Sequence, residues 1–109
     1  MGLLTHGPVQ VEMDDEVLAH LEAVIVYKFR HWESFVLTWV DETENAHGRR
    51  SLWLAHRAAT FFEYENGDLQ ALDRQWLQRL HITASSSRGL VLVYADGRPA
   101  QVRVRRHAA

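Results

Sequence analysis

The sequence of 109 residues contains no cysteine, only two prolines and a single lysine, Lys28. Without cysteine the chain can form no disulfide, thiolate nucleophile or cysteine-based zinc site. Its longest apolar run, AVIVY at residues 23–27, is far shorter than the roughly 20 residues that span a bilayer. The opening MGLLTHGP carries neither the basic nor the apolar segment of a secretion signal. We therefore expect a cytoplasmic protein without a membrane partner.

The composition that remains is typical of one globular domain. Hydrophobic residues make up 47% of the chain and charged residues 24%, which are ordinary values for a folded protein. At this length the sequence predicts a single α+β domain over residues 1–109. Within it, residues 96–109 are predicted to form a C-terminal hairpin strand followed by a basic tail.

Charge is distributed unevenly along the chain. Residues 1–48 hold nine acidic residues against Lys28 and Arg30, a net charge of −7. Residues 49–109 hold ten arginines against five acidic residues, a net charge of +5. Such asymmetry indicates a basic binding face, two halves that attract each other, or only solvated neighbouring surfaces. The sequence alone leaves these alternatives open.

Hydrophobic periodicity predicts the element order β-β-α-β-β-β-α-β-β, a mixed, mainly antiparallel sheet with two helices. The predicted strands are two in GLLTHGPVQVEM, then ESFVLTWVDE, SLWLAH, TFFEYE, Leu90–Tyr94 and Ala100–Arg105. Between the third and fourth strands, ETENAHGRR at residues 42–50 is predicted to be a polar hairpin loop. Asp96-Gly97 is predicted to make the tight turn between the last two strands.

Two helices are predicted from apolar residues at helical spacing. The first begins at Asp14 or Asp15, and the second is capped by Asp68 or, as we expect, by Asp73. The buried stripe of the first helix is predicted to contain Leu18, Leu21, Ile25, Phe29 and Trp32. The stripe of the second is predicted to contain Trp76, Leu77, Leu80 and Ala84.

Three of the strands are apolar on both faces, and such strands need cover on both sides. The residue pairs that indicate this are Phe35/Val36, Leu52/Trp53 and Leu90/Val91. Either each helix covers one face of the sheet, or both helices lie on one face and a second copy covers the other. We expect the second arrangement, a homodimer. Trp39, Trp53 and Trp76 are all expected in the core.

One motif near the C-terminus resembles an enzyme signature. YADGRPAQV is similar to the K-x-D-G-x-R signature of ATP-dependent DNA ligases, whose lysine amine attacks the α-phosphate of ATP. Aligning Asp96-Gly97 with the signature puts Tyr94 at the lysine position and Pro99 at the arginine position. A phenol does not replace the amine nucleophile, so we expect no ligase activity and no enzyme.

A broader resemblance covers residues 1–90. The segments that carry it are MGLL, DDEVLAHLEAVI, Lys28–Arg30, ESFVLTW, GRRSLWL, LDRQWLQRL and SSSRGL. With these segments the chain resembles an uncharacterised family of short actinobacterial proteins that are often labelled ATP-dependent DNA ligase. That family has no established catalytic residues, so the resemblance implies none here. The chain after Tyr94 extends beyond the usual end of the family.

The sequence predicts no cofactor, no metal and no small-molecule ligand. The seven histidines show none of the spacings H-x-H, H-x-x-H or H-x-x-x-H, and no P-loop or dinucleotide motif occurs. Glu16 and His20 share a helical face, where they could bind a metal or, as we expect, lie solvated. SSSRG, with Arg88, could hold a phosphate, but it follows the second helix at the negative end of the helix dipole.

The functional hypothesis is therefore a non-catalytic, self-associating interaction module. The alternative is a nucleic-acid-associated accessory protein that uses an arginine-rich face. The residues proposed to contact nucleic acid or a partner are Arg49, Arg50, Arg57, Arg103, Arg105 and Arg106.

Overall fold

The computed structural model describes residues 1–43 and 46–105, which form two helices and seven strands. The strands are β1 (Gly2–His6), β2 (Val9–Met13), β3 (Phe35–Thr43), β4 (Ala46–Leu54), β5 (Thr60–Glu63), β6 (Leu90–Val91) and β7 (Arg103–Arg105). The helices are α1 (Asp15–Arg30) and α2 (Arg74–Ala84). This arrangement confirms the predicted α+β class and the predicted order of elements.

The strands divide into two sheets, which the hydrophobic pattern did not indicate. A four-stranded antiparallel sheet has the order β5-β1-β2-β7, and a three-stranded sheet has the order β4-β3-β6. In the second sheet β3 pairs antiparallel with β4 and parallel with β6. Alternation of apolar and polar residues shows which way a side chain points, but it carries no information about which strand lies alongside.

The hairpin of β3 and β4 is longer than predicted, because most of the expected loop at residues 42–50 is strand. β3 continues to Thr43 and β4 begins at Ala46, while residues 44 and 45 of the expected loop lie outside the described residues. The loop prediction was wrong because the segment is polar in sequence, as loops are, and its residues 48–50 are exposed although they lie on a strand. The correction places Arg49 and Arg50 on a strand.

The predicted turn at Asp96-Gly97 is present, but the segments on its two sides join different sheets. The Gly97 N–H donates to the Tyr94 carbonyl at 2.9 Å, and Gly97 has a φ of 90°, which glycine tolerates. Val93 and Pro99 form a single bridge across the turn. β6 then pairs with β3, whereas β7 pairs with β2, so the two strands do not form the extended hairpin expected from sequence.

Helix α1 packs its apolar stripe into the core except at its predicted last member. Leu18, Leu21 and Ile25 are buried and Phe29 is half-buried, as predicted. Trp32 is 76% exposed, and its assignment to the buried stripe was wrong. The helix ends at Arg30, and Trp32 then adopts a φ of 58°, which turns its side chain away from the stripe.

Helix α2 begins at the predicted cap. The Asp73 carboxylate accepts a hydrogen bond from the Trp76 backbone N–H at 3.0 Å, as an N-cap does. Trp76, Leu80 and Ala84 are buried, and the Trp76 indole N–H donates to the Val93 carbonyl at 2.8 Å. This bond fixes α2 against the segment that follows β6.

One hydrophobic cluster joins both helices and both sheets. Its members include Leu4 and Val11 from the four-stranded sheet, Leu37 from the three-stranded sheet, and Leu18 and Leu80 from the helices. Among the described residues, no helix is long and apolar enough to cross a membrane.

Candidate functional site

The three-stranded sheet has an inner face that packs into the core. Phe35, Leu37 and Trp39 of β3 are almost fully buried there. Leu54 and Leu52 of β4 lie directly across from Phe35 and Leu37, and paired residues point to the same side of a sheet. The helices and the four-stranded sheet therefore cover this face.

The opposite side of the same sheet is here called the outer face, and among the residues whose side chains the structure describes it consists of Val36, Thr38, Val40, Arg49, Ser51, Trp53 and Val91. Trp53 lies across from Val36 and is 59% exposed, and Val91 is 37% exposed. The hydrophobic residues of this face are not among those that pack on the core. The expectation that Trp53 is a core residue was wrong, because the apolar run SLWL does not show which of its two faces is covered.

Thr38 is the one outer-face residue that is fully buried. Its hydroxyl donates to the Arg50 carbonyl at 3.1 Å and accepts from the Ser51 hydroxyl at 3.3 Å. These two hydrogen bonds satisfy the buried hydroxyl of Thr38.

Strand β4 also presents an open edge. The Leu92 N–H donates to the Thr38 carbonyl, so the backbone groups of Thr38 face β6. Backbone groups alternate in direction along a strand, so Leu37 and Trp39 face β4, where they pair with Leu52 and Arg50.

By the same alternation, the N–H and C=O groups of Arg49, Ser51 and Trp53 point away from β3. We call this row the β4 edge. In the part of the chain that the structure describes, β4 pairs with β3 alone. The exposed Trp53 therefore stands on the same strand as an uncovered row of backbone donors and acceptors.

The arginines proposed from the sequence lie at several places. Arg49 is exposed on the outer face, whereas Arg50 points to the inner side, where its Nε lies 2.7 Å from the Asp41 carboxylate. Arg57 is exposed in the connection between β4 and β5.

The two described arginines of the C-terminal segment lie on β7. Arg103 and Arg105 are exposed on the solvent side of the four-stranded sheet, and the Arg105 Nε lies 3.1 Å from the Glu12 carboxylate. Arg106 lies outside the described residues.

A cleft of about 670 Å³ brings two of these arginines together. Arg50 and Arg103 both line it, and so do the carboxylates of Asp41 and Glu12. The cleft thus holds positive and negative groups side by side, and Arg50 is already paired with Asp41.

The SSSRG loop lines a second cleft, of about 480 Å³, next to the only lysine. Ser85, Ser86 and Ser87 line it, and Lys28 reaches both the Ser85 hydroxyl at 3.3 Å and the Glu33 carboxylate at 3.1 Å. The lysine is largely buried, and its charge is already balanced by Glu33.

The ligase-like segment has a structural role at its turn. The Tyr94 hydroxyl accepts a hydrogen bond from the Gln101 N–H at 2.9 Å, and its ring packs against the core. The Asp96 carboxylate accepts one hydrogen bond from the Arg98 backbone N–H and another from the Arg98 guanidinium. These two bonds lower the pKa of this exposed carboxyl. These contacts hold the turn that Asp96-Gly97 makes.

His20 is buried, which corrects the expectation of a solvated Glu16–His20 pair. Its Nε2 accepts the Asp73 N–H at 2.8 Å, so its Nδ1 carries the proton and donates to the Glu16 carbonyl at 2.6 Å. The ring stacks on Trp76 at 3.9 Å. Among residues 1–43 and 46–105, no group of three histidine, aspartate or glutamate side chains could hold a metal ion.

His6 makes a similar pair of hydrogen bonds through its two ring nitrogens, and this role was also not predicted from the sequence. Its Nε2 accepts the Ala55 N–H at 3.1 Å, so its Nδ1 donates to the Thr60 hydroxyl at 2.8 Å. Burial lowers the pKa of His6. Isolated histidines in apolar surroundings carry no sequence signal that distinguishes this role.

Comparison with known proteins identifies a family without an assigned activity. A family model described as a domain of unknown function, DUF7882, matches residues 1–95. No curated protein and no solved structure matches the chain. The expected resemblance to an uncharacterised family is confirmed, and the match ends where the sequence led us to expect, just after Tyr94.

Proposed function

We propose that this chain, which belongs to the DUF7882 family, acts as a non-catalytic interaction module that forms a homodimer through its three-stranded sheet. The observation that supports the proposal is Trp53, an indole 59% exposed on a sheet face that neither helix covers. Large exposed apolar side chains beside an open strand mark association surfaces. The cytoplasmic location expected from the sequence remains part of this proposal.

The size of the hydrophobic contribution indicates how strong such a dimer can be. Covering one large apolar side chain contributes about 1.5–3 kcal/mol, so the two Trp53 side chains of a dimer contribute roughly 3–6 kcal/mol. Association costs about 4–15 kcal/mol in lost translational and rotational freedom. The two Trp53 side chains thus offset only the low end of that cost, so we expect other groups of the same surface to contribute.

The test compares two exposed aromatic residues on different sheets. Trp53→Ala removes the indole from the outer face, and Phe61→Ala removes a ring that is 66% exposed on the four-stranded sheet. Light scattering after size exclusion, at about 1 to 200 µM, should show wild type and Phe61→Ala as dimers with the same affinity. Trp53→Ala should raise the dissociation constant about tenfold or more.

Circular dichroism of both variants should match wild type, which separates lost association from lost folding. A wild-type chain that stays monomeric at about 200 µM would refute the proposal. If Trp53→Ala and Phe61→Ala weakened the dimer equally, the result would contradict a contact through the three-stranded sheet.

One observation favours nucleic-acid binding as a second candidate. Arg49 and Trp53 are both exposed on the outer face, where a cation and a stacking surface together suit single-stranded nucleic acid. Fluorescence anisotropy with labelled single-stranded and duplex oligonucleotides, at low and at physiological salt, tests this candidate. Binding that falls with salt and is lost in Trp53→Ala supports it. Absence of binding at low salt excludes it.

A further inference from the structure

We propose that two copies pair antiparallel along the β4 edge, with Ser51 opposite Ser51, so that two three-stranded sheets become one continuous six-stranded sheet. This inference rests on the proposed homodimer and specifies which groups form it. It follows from the direction of the backbone groups on β4 and from the order of its side chains.

The β4 edge is long enough to form a stable contact. β4 has nine residues, a length of about 30 Å at the rise of an antiparallel strand. Arg49, Ser51 and Trp53 point their backbone groups outward, and in the described chain no other strand pairs there. A strand with this exposure is a template for pairing with another strand.

Two-fold symmetry restricts how two β4 strands can align. In an antiparallel pair about a two-fold axis, the residue on the axis faces its own copy, and residues equally spaced on either side face each other. With Ser51 on the axis, Arg49 of each copy lies opposite Trp53 of the other. Arg49, Ser51 and Trp53 then form hydrogen-bonded pairs, which gives six backbone hydrogen bonds across the contact.

The side chains of β4 favour this register over its neighbours. An axis at Arg49 or at Arg50 places like charges directly opposite each other, which is destabilising. An axis at Leu52 or at Trp53 shifts Arg49 beyond the end of the facing strand and leaves it without a partner there. Among these alignments, the axis at Ser51 pairs the outward backbone groups of Arg49, Ser51 and Trp53 and keeps the arginines apart.

The same register covers the exposed indole. Arg49 and Trp53 point to the outer face, so across the contact each guanidinium lies beside an indole ring of the other copy. Arginine packs its apolar stem and its planar cation on tryptophan, and such cation–π contacts are favourable. The pairing thus covers the side chain that is 59% exposed in the single chain.

An alternative dimer, in which the outer faces of two copies stack on each other, agrees less well with the charge of this surface. A face-to-face contact would bury Arg49 of both copies, which costs free energy because each guanidinium loses its contact with water. Edge pairing leaves both guanidinium groups at the solvent side of the sheet. Edge pairing also leaves no long strand at the edge of the assembly. The joined sheet ends on both sides at β6, which has only two residues.

The absence of cysteine makes the pairing directly testable by cross-linking. Ser51→Cys puts one thiol at the axis, where facing Cα atoms are about 5.5 Å apart, within the range of a disulfide. Arg49→Cys puts the two thiols four residues out of register, about 13 Å apart along the strands. Arg57→Cys is an exposed control that lies outside β4.

Each variant is brought to a concentration where light scattering gives the dimer; one sample is oxidised, and a second sample, kept reduced, is treated with a bis-maleimide linker that spans a similar short distance. We expect a covalent dimer of Ser51→Cys on a non-reducing gel, and monomers of Arg49→Cys and Arg57→Cys. A dimer in solution with no cross-link at position 51 overturns this inference and leaves the proposed homodimer standing. A monomer in solution overturns both.

Discussion

Two buried histidines connect segments of this protein that are distant in sequence. His6 of β1 bonds to the Ala55 N–H and to Thr60, and His20 of α1 bonds to the Asp73 N–H. In both rings Nε2 acts as an acceptor and Nδ1 as a donor. Protonation of His6 would turn its hydrogen bond from the Ala55 N–H into a contact between two donors.

The hydrogen bonds of the neutral His6 ring predict that the fold loses stability in mild acid. Burial lowers the pKa of His6 below the ordinary value of 6.5, so the unfolded chain binds the proton first as the pH falls. The contribution of His6 to stability is therefore complete above pH 6.5 and decreases as the pH falls through that value towards the pKa of the folded state.

Urea unfolding between about pH 8 and pH 5 measures this effect. The free energy of unfolding of wild type should fall with pH, and His6→Gln should be less stable at pH 8 but less dependent on pH. The exposed His31 provides the control, because His31→Gln should keep the wild-type slope. An identical slope in His6→Gln and wild type would contradict the assigned role.

At the same scale, single residues show where prediction from sequence fails. Trp32 and Trp53 both fit apolar patterns, yet both are exposed in the structure. Trp32 lies past the end of α1 at a positive φ, and Trp53 lies on the uncovered side of a strand that is apolar on both sides. An apolar pattern shows which side chains share one face of an element. Whether that face is buried depends on the element that packs against it, which the pattern does not show.

The elements themselves follow closely from local patterns. α1, α2 and the hairpin of β1 and β2 have the predicted positions, because their apolar spacing and capping residues agree with each other. β4 departs from this rule, since its first half is polar and was predicted to be a loop. A polar strand that faces water on an open edge has the same composition as a loop.

The two helices begin differently, and this difference predicts different effects of removing their caps. Asp73 accepts a hydrogen bond from the Trp76 N–H, whereas the side chain of Asp14 makes no capping bond. Asp73→Ala should therefore lower the free energy of unfolding by about 0.5–2 kcal/mol. Asp14→Ala should lower it by less than Asp73→Ala does, by about 0.3–1 kcal/mol, because Asp14 makes no capping bond and contributes through its interaction with the helix dipole.

Thermal and urea unfolding of the two variants at one pH gives this comparison. Both should keep the far-ultraviolet circular dichroism of wild type. A larger loss for Asp14→Ala than for Asp73→Ala would show that the first helix, and not the second, depends on its capping side chain.

For the whole molecule, the sequence predicted the elements but not how they assemble. The chain forms two sheets because β5 and β7 pair with the first hairpin, and neither pairing is local in sequence. Partners that are far apart along the chain are selected by the packing of the complete core. The predicted single domain over residues 1–109 stays a prediction, although the described residues share one hydrophobic cluster.

The segment that follows the family match is part of this assembly. The match ends at Ala95, yet Ala100 and Val102 are buried in the core and β7 adds a strand to the four-stranded sheet. In this chain the arginines of β7 therefore occupy an edge strand whose apolar residues face inward. Their charges keep that edge hydrated, while the β4 edge in the other sheet carries the exposed indole.

The measurement that tests the central claim most directly is the mass of the wild-type chain by sedimentation equilibrium. The chain has a mass of 12.6 kDa, and at about 100 µM it should sediment at twice that value, returning to the single mass on dilution. Trp53→Ala should show a lower average mass than wild type at the same concentration and should dissociate at a higher concentration on dilution. A wild-type mass of 12.6 kDa at every concentration would contradict the account.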